Sequence, residues 1–400
     1  MGGKQPGTGE RLVDQIALGV LTKVFPPGLV DEVVDATGRR EVRRRRLPAR
    51  VVVYFVLAMC LFRSAGYEEV LRLLSEGLRR DGWDVPCTAA VSRARVRLGP
   101  EPLRVLFDRV CRPVATAETA GAWYRQWRLV AIDGTAFEVP DTQANADYFG
   151  RAVSDRGAGA FPQVRLVMLA ECGTHAVFGA AMGPFTVSEV ALAGQLWDRM
   201  EPGMLVLADR NFPAFPRWRA ARAGGADLLW RVKSNAVLPL CQQLEDGSYL
   251  SQIFASADYY QCSDPEHVRV IEYTLEGSTE VYRLITTVLD PDQAPARELA
   301  VLYHERWEIE SLLDELKVHQ AGARSVLRSK TPDGVEQEVH GMLLVHHALR
   351  QLAHLAARSR RVDPDRVSFT RTLHAARRQV PAQAGFSPRK TAPDAEPGTR

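Results

Sequence analysis

RLVAID at 128–133 and MLVLAD at 204–209 each end on an aspartate after an unbroken apolar run. A strand covered on both faces of a sheet carries such runs, whereas a strand with one wet face alternates. Between and after them, QVRLVMLAE (163–171) and HAVFGAAMG (175–183) read as strands. SEVALAGQLWDRM (188–200) reads as an amphipathic helix, followed by a helix through Trp218 and a strand DLLWRVK (227–233). The order is strand, strand, strand, helix, strand, helix, strand, which predicts a mixed sheet with helices packed on it.

Working outward, VRVIEYTL and EVYRLITTVL mark a β-rich stretch over 236–292, and Pro295 introduces a long helix to about Gln320. Helical patterns return at 335–358 and 368–379. Upstream, residues 10–112 read as helices, with Val70, Leu73, Leu74 and Leu78 at helical spacing. The predicted organisation is a helical N-terminal DNA-binding domain at 1–120, a core domain at 125–235 and 293–380, a β-rich insertion at 236–292, and a disordered tail at 381–400. The fold class is thus α/β: an RNase H-like mixed sheet flanked by helices, with the β-rich insertion and the all-α N-terminal domain attached. Gly-rich residues 1–9 also read as disordered.

The longest apolar run, Val51 to Phe62, has twelve residues, too few to span a bilayer, and reads as a buried helix. No membrane segment is expected. Six cysteines lie far apart without a C-x-x-C pair, which argues against a zinc site and a disulfide framework and fits a reduced, cytoplasmic setting. Charge is unevenly spread: 21 Lys+Arg against 14 Asp+Glu in 1–127, 16 against 27 in 128–319, and 14 against 7 in 320–400. Basic flanks around an acidic middle suit a protein that grips a polyanion while its centre gathers carboxylates. Thr88 could cap a helix carrying Arg93, Arg95 and Arg97. Behind a helix at 68–80, this reads either as the second helix of a helix-turn-helix or as a basic surface helix.

Asp133 and Asp209 end strands predicted to be neighbours, so the two carboxylates should meet although 76 residues separate them. A third partner emerges from helix geometry. At 100° per residue, Tyr303, Arg306, Glu310, Asp314 and Lys317 fall within an arc of about 80°. Leu302, Ile309, Leu312, Leu313 and Leu316 form the core-facing side, and Glu305, Glu308 and Glu315 lie away from the polar stripe. Glu310 is therefore the glutamate on the stripe that borders the core.

The spacing Y-x-x-R-x-x-x-E-x-x-x-x-x-x-K, at Tyr303, Arg306, Glu310 and Lys317, resembles the signature of insertion-sequence transposases of the insertion-sequence-four family. The D-G-T after the first strand, the D-R-x-F after the fourth, W-R-V-K-S at 230–234 and the N-terminal helices also resemble that family. The resemblance implies a DDE transposase with an RNase H-like core, working by cut-and-paste excision through a hairpinned end. Asp133, Asp209 and Glu310 would be the catalytic carboxylates and the ligands of two divalent ions, Mg²⁺ or Mn²⁺, the hard cations that oxygen ligands favour. Arg306 and Lys317 would bind phosphates beside the scissile bond, Tyr303 would donate to one of them, and Arg231 and Lys233 would hold the transposon end. Trp307 or Trp230 would stack an unpaired base, unless they are core packing. His346 and His347 read as structural. The expected partners are double-stranded DNA, at the element ends and the target, and a second copy of the chain in a synaptic homodimer, nucleoid-associated when bound. The competing readings are an RNase H-like nuclease that only cuts and a decayed transposase that only binds DNA.

Overall fold

The computed structural model describes residues 19–43, 47–75, 86–154, 157–255, 264–277, 279–322 and 326–383. Of the tails expected at 1–9 and 381–400, only 381–383 are described, as the end of a helix, and the other tail residues and most of the turn before the candidate recognition helix lie outside these residues. The N-terminal region is helical: α1 (Val20–Val24), α2 (Pro27–Ala36), α3 (Ala49–Leu61), α4 (Tyr67–Ser75), α5 (Thr88–Leu98) and α6 (Glu101–Val110). Helix α3 is the long apolar run, and it is buried along its length. No described helix is long and apolar enough to cross a membrane. Cys87, not Thr88, occupies the cap position of α5, and no side chain caps it.

Strands β1 (Trp123–Tyr124) and β2 (Trp127–Glu138) open the sheet. Helix α7 (Gln143–Phe149), β3 (Arg151–Ser154), β4 (Gly157–Glu171) and β5 (Ala176–Pro184) follow. Next come α8 (Glu189–Ala193), β6 (Met204–Ala208), α9 (Phe215–Arg222) and β7 (Asp227–Arg231), then β8 (Gln242–Gln243), β9 (Tyr249–Ile253), β10 (Glu266–Thr274) and β11 (Val281–Thr286). One mixed sheet runs β3-β4-β2-β6-β7-β11-β10-β9-β8, with β5 on β4 and β1 on β2. Strands β2, β4 and β5 form the antiparallel meander, while β6 and β7 join in parallel, as helix-linked crossovers allow. The strands of 236–292 continue this same sheet through the β7–β11 pair.

The apolar runs are buried on both faces, as their lack of alternation requires. Leu129, Ala131, Leu205 and Leu207 face one core, and Val130, Ile132, Val206 and Ala208 face the other. The first core is shared with the N-terminal helices through α12 (Pro332–Arg360) and α13 (Phe369–Gln383). Thr331 starts α12 by accepting the Gly334 N–H, and Pro332 follows at the first helical position. Where α12 crosses α3, a Cβ on Gly341 would lie 2.9 Å from Val56 Cγ1 and 3.0 Å from Cys60 Sγ, so glycine permits the approach.

Three expectations are corrected. The helix expected over 188–200 stops after five residues at Gly194 and resumes as a 3₁₀ turn at Trp197–Arg199. The helix after Pro295 is not regular: α10 (Ala296–Leu302) tightens into a 3₁₀ turn at Tyr303–Arg306, continues as α11 (Trp307–Asp314), and widens into a π-helical stretch at Glu315–Gln320. Such departures recur at functional sites. Third, Asp133 does not end its strand. The parallel ladder with β6 stops at Ala131–Leu207, but β2 runs on to Glu138 because β4 keeps pairing with it.

Candidate active site

The β2–β6 register pairs Ala131 with Leu207, so two residues further on Asp133 stands opposite Asp209, where β6 has ended and its backbone has turned away. Asp133 Oδ1 accepts the Gly134 N–H at 2.8 Å. Asp209 is held by its own turn: its two oxygens accept from Asn211 N at 2.8 Å and Asn211 Nδ2 at 3.2 Å. The ordinary role of an aspartate after a strand, forming an Asx turn, is thus realised here and fixes the carboxylate's direction.

Helix α11 brings the third group. Arg306 Nη1 lies 3.4 Å from Asp133 Oδ2, and its Nη2 donates to Glu310 Oε1 at 3.0 Å. One guanidinium therefore bridges two carboxylates. It stands in the place of positive charge that the site demands, while its own buried Nε has no hydrogen-bond partner. Burial pushes the Asp133 carboxyl up to about 6; Asp209 and Glu310 add to the rise, and the Gly134 N–H and Arg306 oppose it.

A fourth carboxylate that the sequence reading missed is Glu189, the first residue of α8, whose start is fixed by Ser188 accepting the Ala191 N–H. Its side chain packs on Gly134, and burial pushes its carboxyl up to about 7, with Asp133 and Asp209 acting in the same direction. The donor set is all carboxylate oxygen, the chemistry that suits hard divalent cations.

The structure corrects three assigned contacts outright. Tyr303 is buried and its hydroxyl donates to the Ala208 carbonyl at 3.1 Å, so it braces the residue before Asp209 and faces no solvent-borne phosphate. Arg95 is buried, and it bonds Tyr67 Oη at 2.6 Å, Ser329 Oγ at 2.9 Å, the Gly334 carbonyl at 3.0 Å and Gln337 Oε1 at 3.1 Å. It ties α5 to α12 and is not free to meet DNA. Arg93 and Arg97, on the other side of α5, are exposed. Trp230 is fully buried and packs edge-on against Trp218, which removes it as a stacking platform, whereas Trp307 is 57% exposed. Arg231 pairs with Glu280 and lies over the Tyr282 ring; Lys233 is exposed. Lys317 is exposed and its ammonium lies 5.8 Å from the Phe137 ring centre; partial burial lowers its pKa.

The glutamates off the polar stripe are not solvated. Glu308 accepts the Gly173 N–H and faces His175, and burial raises its pKa. Burial acts against the Glu315 carboxylate, but hydrogen bonds from His175 and His346 and the Arg350 charge hold it well below the usual range. His346 Nε2 sits 3.0 Å from Glu315 Oε2, the structural part expected of it. His175, Glu308 and Asp365 also place one ligand atom each within 4.8 Å of one another. His175 Nδ1 donates to Glu315 Oε1 at 3.2 Å, and its Nε2 lies 3.4 Å from Asp365 Oδ1 and 3.8 Å from Glu308 Oε2, so these groups join the ion-pair network behind α11.

Residues 15–108 match the family model described as insertion element 4 transposase N-terminal, and residues 125–347 match the transposase DDE domain. The chain is 28% identical over 369 residues to the Escherichia coli K12 protein "Transposase InsG for insertion sequence element IS4", covering 90% of this chain and 83% of that one. It is also 28% identical over 190 residues to "Putative transposase InsZ" of the same organism, covering 47% and 62%. With more than half of its length matched by the DDE domain and its N-terminal helices by the insertion element 4 model, the chain belongs to the insertion-sequence-four family of DDE transposases.

Proposed function

We propose that this transposase moves an insertion sequence by cut-and-paste, cleaving and rejoining phosphodiesters at one centre made of Asp133, Asp209 and Glu310. The observation that carries the reading is their convergence: the strand register sets Asp133 against Asp209, and Arg306 joins Asp133 to Glu310. DDE transposases act on DNA and use divalent metal. Two Mg²⁺ or Mn²⁺ ions held by these carboxylates, with Asp133 shared between them, would activate the attacking oxygen and stabilise the leaving one. Asp209 is oriented by the Asn211 turn, and Tyr303 anchors the strand end behind it. Arg306, no longer needed between carboxylates once cations are bound, is placed to turn its guanidinium to a phosphate. Lys317 lies on the same helix. Water is the first nucleophile and the freed 3′-hydroxyl the second, with no ATP required because phosphodiester bonds are exchanged.

Arg93, Arg97 and Lys233 are exposed cations available to the duplex. Arg231 would have to leave Glu280 to join them. Trp307 is placed to stack an unpaired base. Two ends must be joined to one target, and each chain carries one triad, so the working complex is a homodimer around paired ends. Strand transfer with Mg²⁺ on DNA bearing the element's own ends tests the whole reading. Asp133→Ala, Asp209→Ala and Glu310→Ala should each abolish cleavage with end binding retained, while Glu201→Ala, exposed and remote, should cleave normally. Near-normal excision by a triad variant removes that residue from the centre. A 1:1 complex that still joins two ends in concert refutes the dimer.

A further inference from the structure

The D-G step at 133–134 is tighter than a turn or a strand requires. Gly134 lies within β2 and pairs with Val167, so it is in a strand, where glycine ordinarily weakens packing. A Cβ built there would lie 2.6 Å from both Cγ and Cδ of Glu189 and 2.8 Å from its Oε1. Only a residue without a side chain lets the Glu189 carboxylate reach this point. The Gly134 N–H is bonded to Asp133 Oδ1, and the Glu189 side chain packs on the same glycine. Two acidic side chains 56 residues apart in sequence therefore converge on one glycine, and since Gly134 directly follows Asp133 this places Glu189 at the aspartate pair.

Charge counting gives the arrangement a purpose. Asp133, Asp209, Glu310 and Glu189 bring four acidic groups; Arg306 is hydrogen-bonded to two of them, and the Arg165 charge acts on Glu189. Burying like charges together is costly unless positive charge is supplied. Two divalent ions supply four positive charges. We infer that Glu189 is a fourth carboxylate of the metal centre, acting on the cations at the Asp133–Asp209 side and admitted there by Gly134. The inference rests on the proposed carboxylate centre and extends it by one ligand.

The test is Mn²⁺ binding by the full chain, read from loss of the free-ion electron paramagnetic resonance signal and independent of cleavage. Glu189→Gln keeps the size and the packing on Gly134 and removes the charge. It should weaken Mn²⁺ binding about tenfold or more, and cleavage by the variant should recover in part at raised Mn²⁺. Gly134→Ala keeps every charge and displaces the Glu189 carboxylate, so it should weaken Mn²⁺ binding likewise, which a loss of through-space charge alone does not give. Asp133→Asn, measured alongside, should abolish the binding. If Asp133→Asn abolishes it and Glu189→Gln leaves it unchanged, or if Gly134→Ala leaves it unchanged, Glu189 is not a ligand and this inference alone falls. If neither variant alters Mn²⁺ binding, the carboxylate centre itself is wrong. Should Glu189→Gln fail to fold, Gly134→Ala carries the test: its Cβ displaces the Glu189 carboxylate without changing charge, and it must weaken Mn²⁺ binding likewise or the inference fails.

Discussion

Replacing Asp133 by Asn should abolish cleavage and at the same time stabilise the metal-free protein. The reasoning is linkage. The Asp133 carboxyl is raised from 3.8 to about 6 in the fold, chiefly by burial. A carboxyl that binds its proton more tightly when folded opposes folding once it ionises, so the penalty is full above about pH 7, shrinks through pH 6, and is gone below the unfolded value. A rise of about two units corresponds to ~3 kcal/mol as an upper bound. The side chain is only 18% exposed, so solvent screening does not erase it. Asn keeps the shape and the hydrogen bond from the Gly134 N–H but carries no charge. In EDTA at pH 8 the variant should therefore melt several degrees above wild type, and the gap should close near pH 4. Adding Mg²⁺ should then stabilise wild type and leave the variant unmoved, because only a state that binds the ion gains from it. Equal or lower stability of the variant at pH 8, with no pH dependence of the difference, would refute the account and mean that Arg306 fully compensates the buried charge.

Three more outcomes follow from placements on the page. Arg95→Ala should cost about 3 kcal/mol or more in chemical denaturation, because four hydrogen-bond acceptors in a buried seam lose their donor; the salt slope of DNA binding should stay as in wild type, whereas Arg93→Ala or Arg97→Ala should lower that slope by about one each without loss of stability. Tyr303→Phe should remove one hydrogen bond worth ~1 kcal/mol and slow cleavage with DNA affinity unchanged; a fall in affinity alone would restore Tyr303 to the phosphate. Glu315→Gln should destabilise by about 3–5 kcal/mol at pH 7, leaving Arg350 buried beside neutral groups. Since the Glu315 pKa is depressed, its contribution is present above the ordinary value of 4.5 and lost as pH falls below it, so melting curves of variant and wild type should approach each other in acid.

What could be read from the sequence was what local periodicity encodes. Two unbroken apolar runs required strands buried on both faces, and their aspartates met because neighbouring parallel strands share a register. Glu310 was legible as the glutamate beside the apolar stripe even though the helix around it is irregular, since Arg306 to Glu310 spans the turn where α11 is regular. Tyr303 was misread because it begins a 3₁₀ turn, where a projection at the α-helical angle fails and the ring rotates inward. Arg95 carried a signal that went unused: Val91, Ala94 and Leu98, three or four residues and one residue away on α5, are all buried, so Arg95 sits on the apolar face. Glu189 carried none, since a five-residue helix has no period to read and its contact with Gly134 lies far off in sequence. Glu308 has the same origin. Its projection placed it away from the polar stripe but not against any partner, and Gly173 and His175 from the β4–β5 turn cover it.

Helix α12 decides how the N-terminal helices can be studied. Its 29 residues reach about 43 Å at 1.5 Å each, enough to serve both the helical region and the site. Near its start Gln337 and the Gly334 carbonyl hold Arg95 of α5, and Glu338 pairs with Arg63 just beyond α3. One and two turns after Gly341 meets α3, His346 and Arg350 grip Glu315, five residues beyond Glu310. The N-terminal helices are thus packed on the rod that also fixes the helix bearing Arg306, Glu310 and Lys317. Cut away at residue 112, they would expose the apolar α12-facing side of α3, which an excised fragment has nothing to cover, and would lose the bonds of Arg63 to Glu338 and of Arg95 to Ser329, Gly334 and Gln337. The DNA contacts proposed for Arg93 and Arg97 therefore have to be measured on the whole chain, where α5 and the helix bearing Glu310 are braced by one helix.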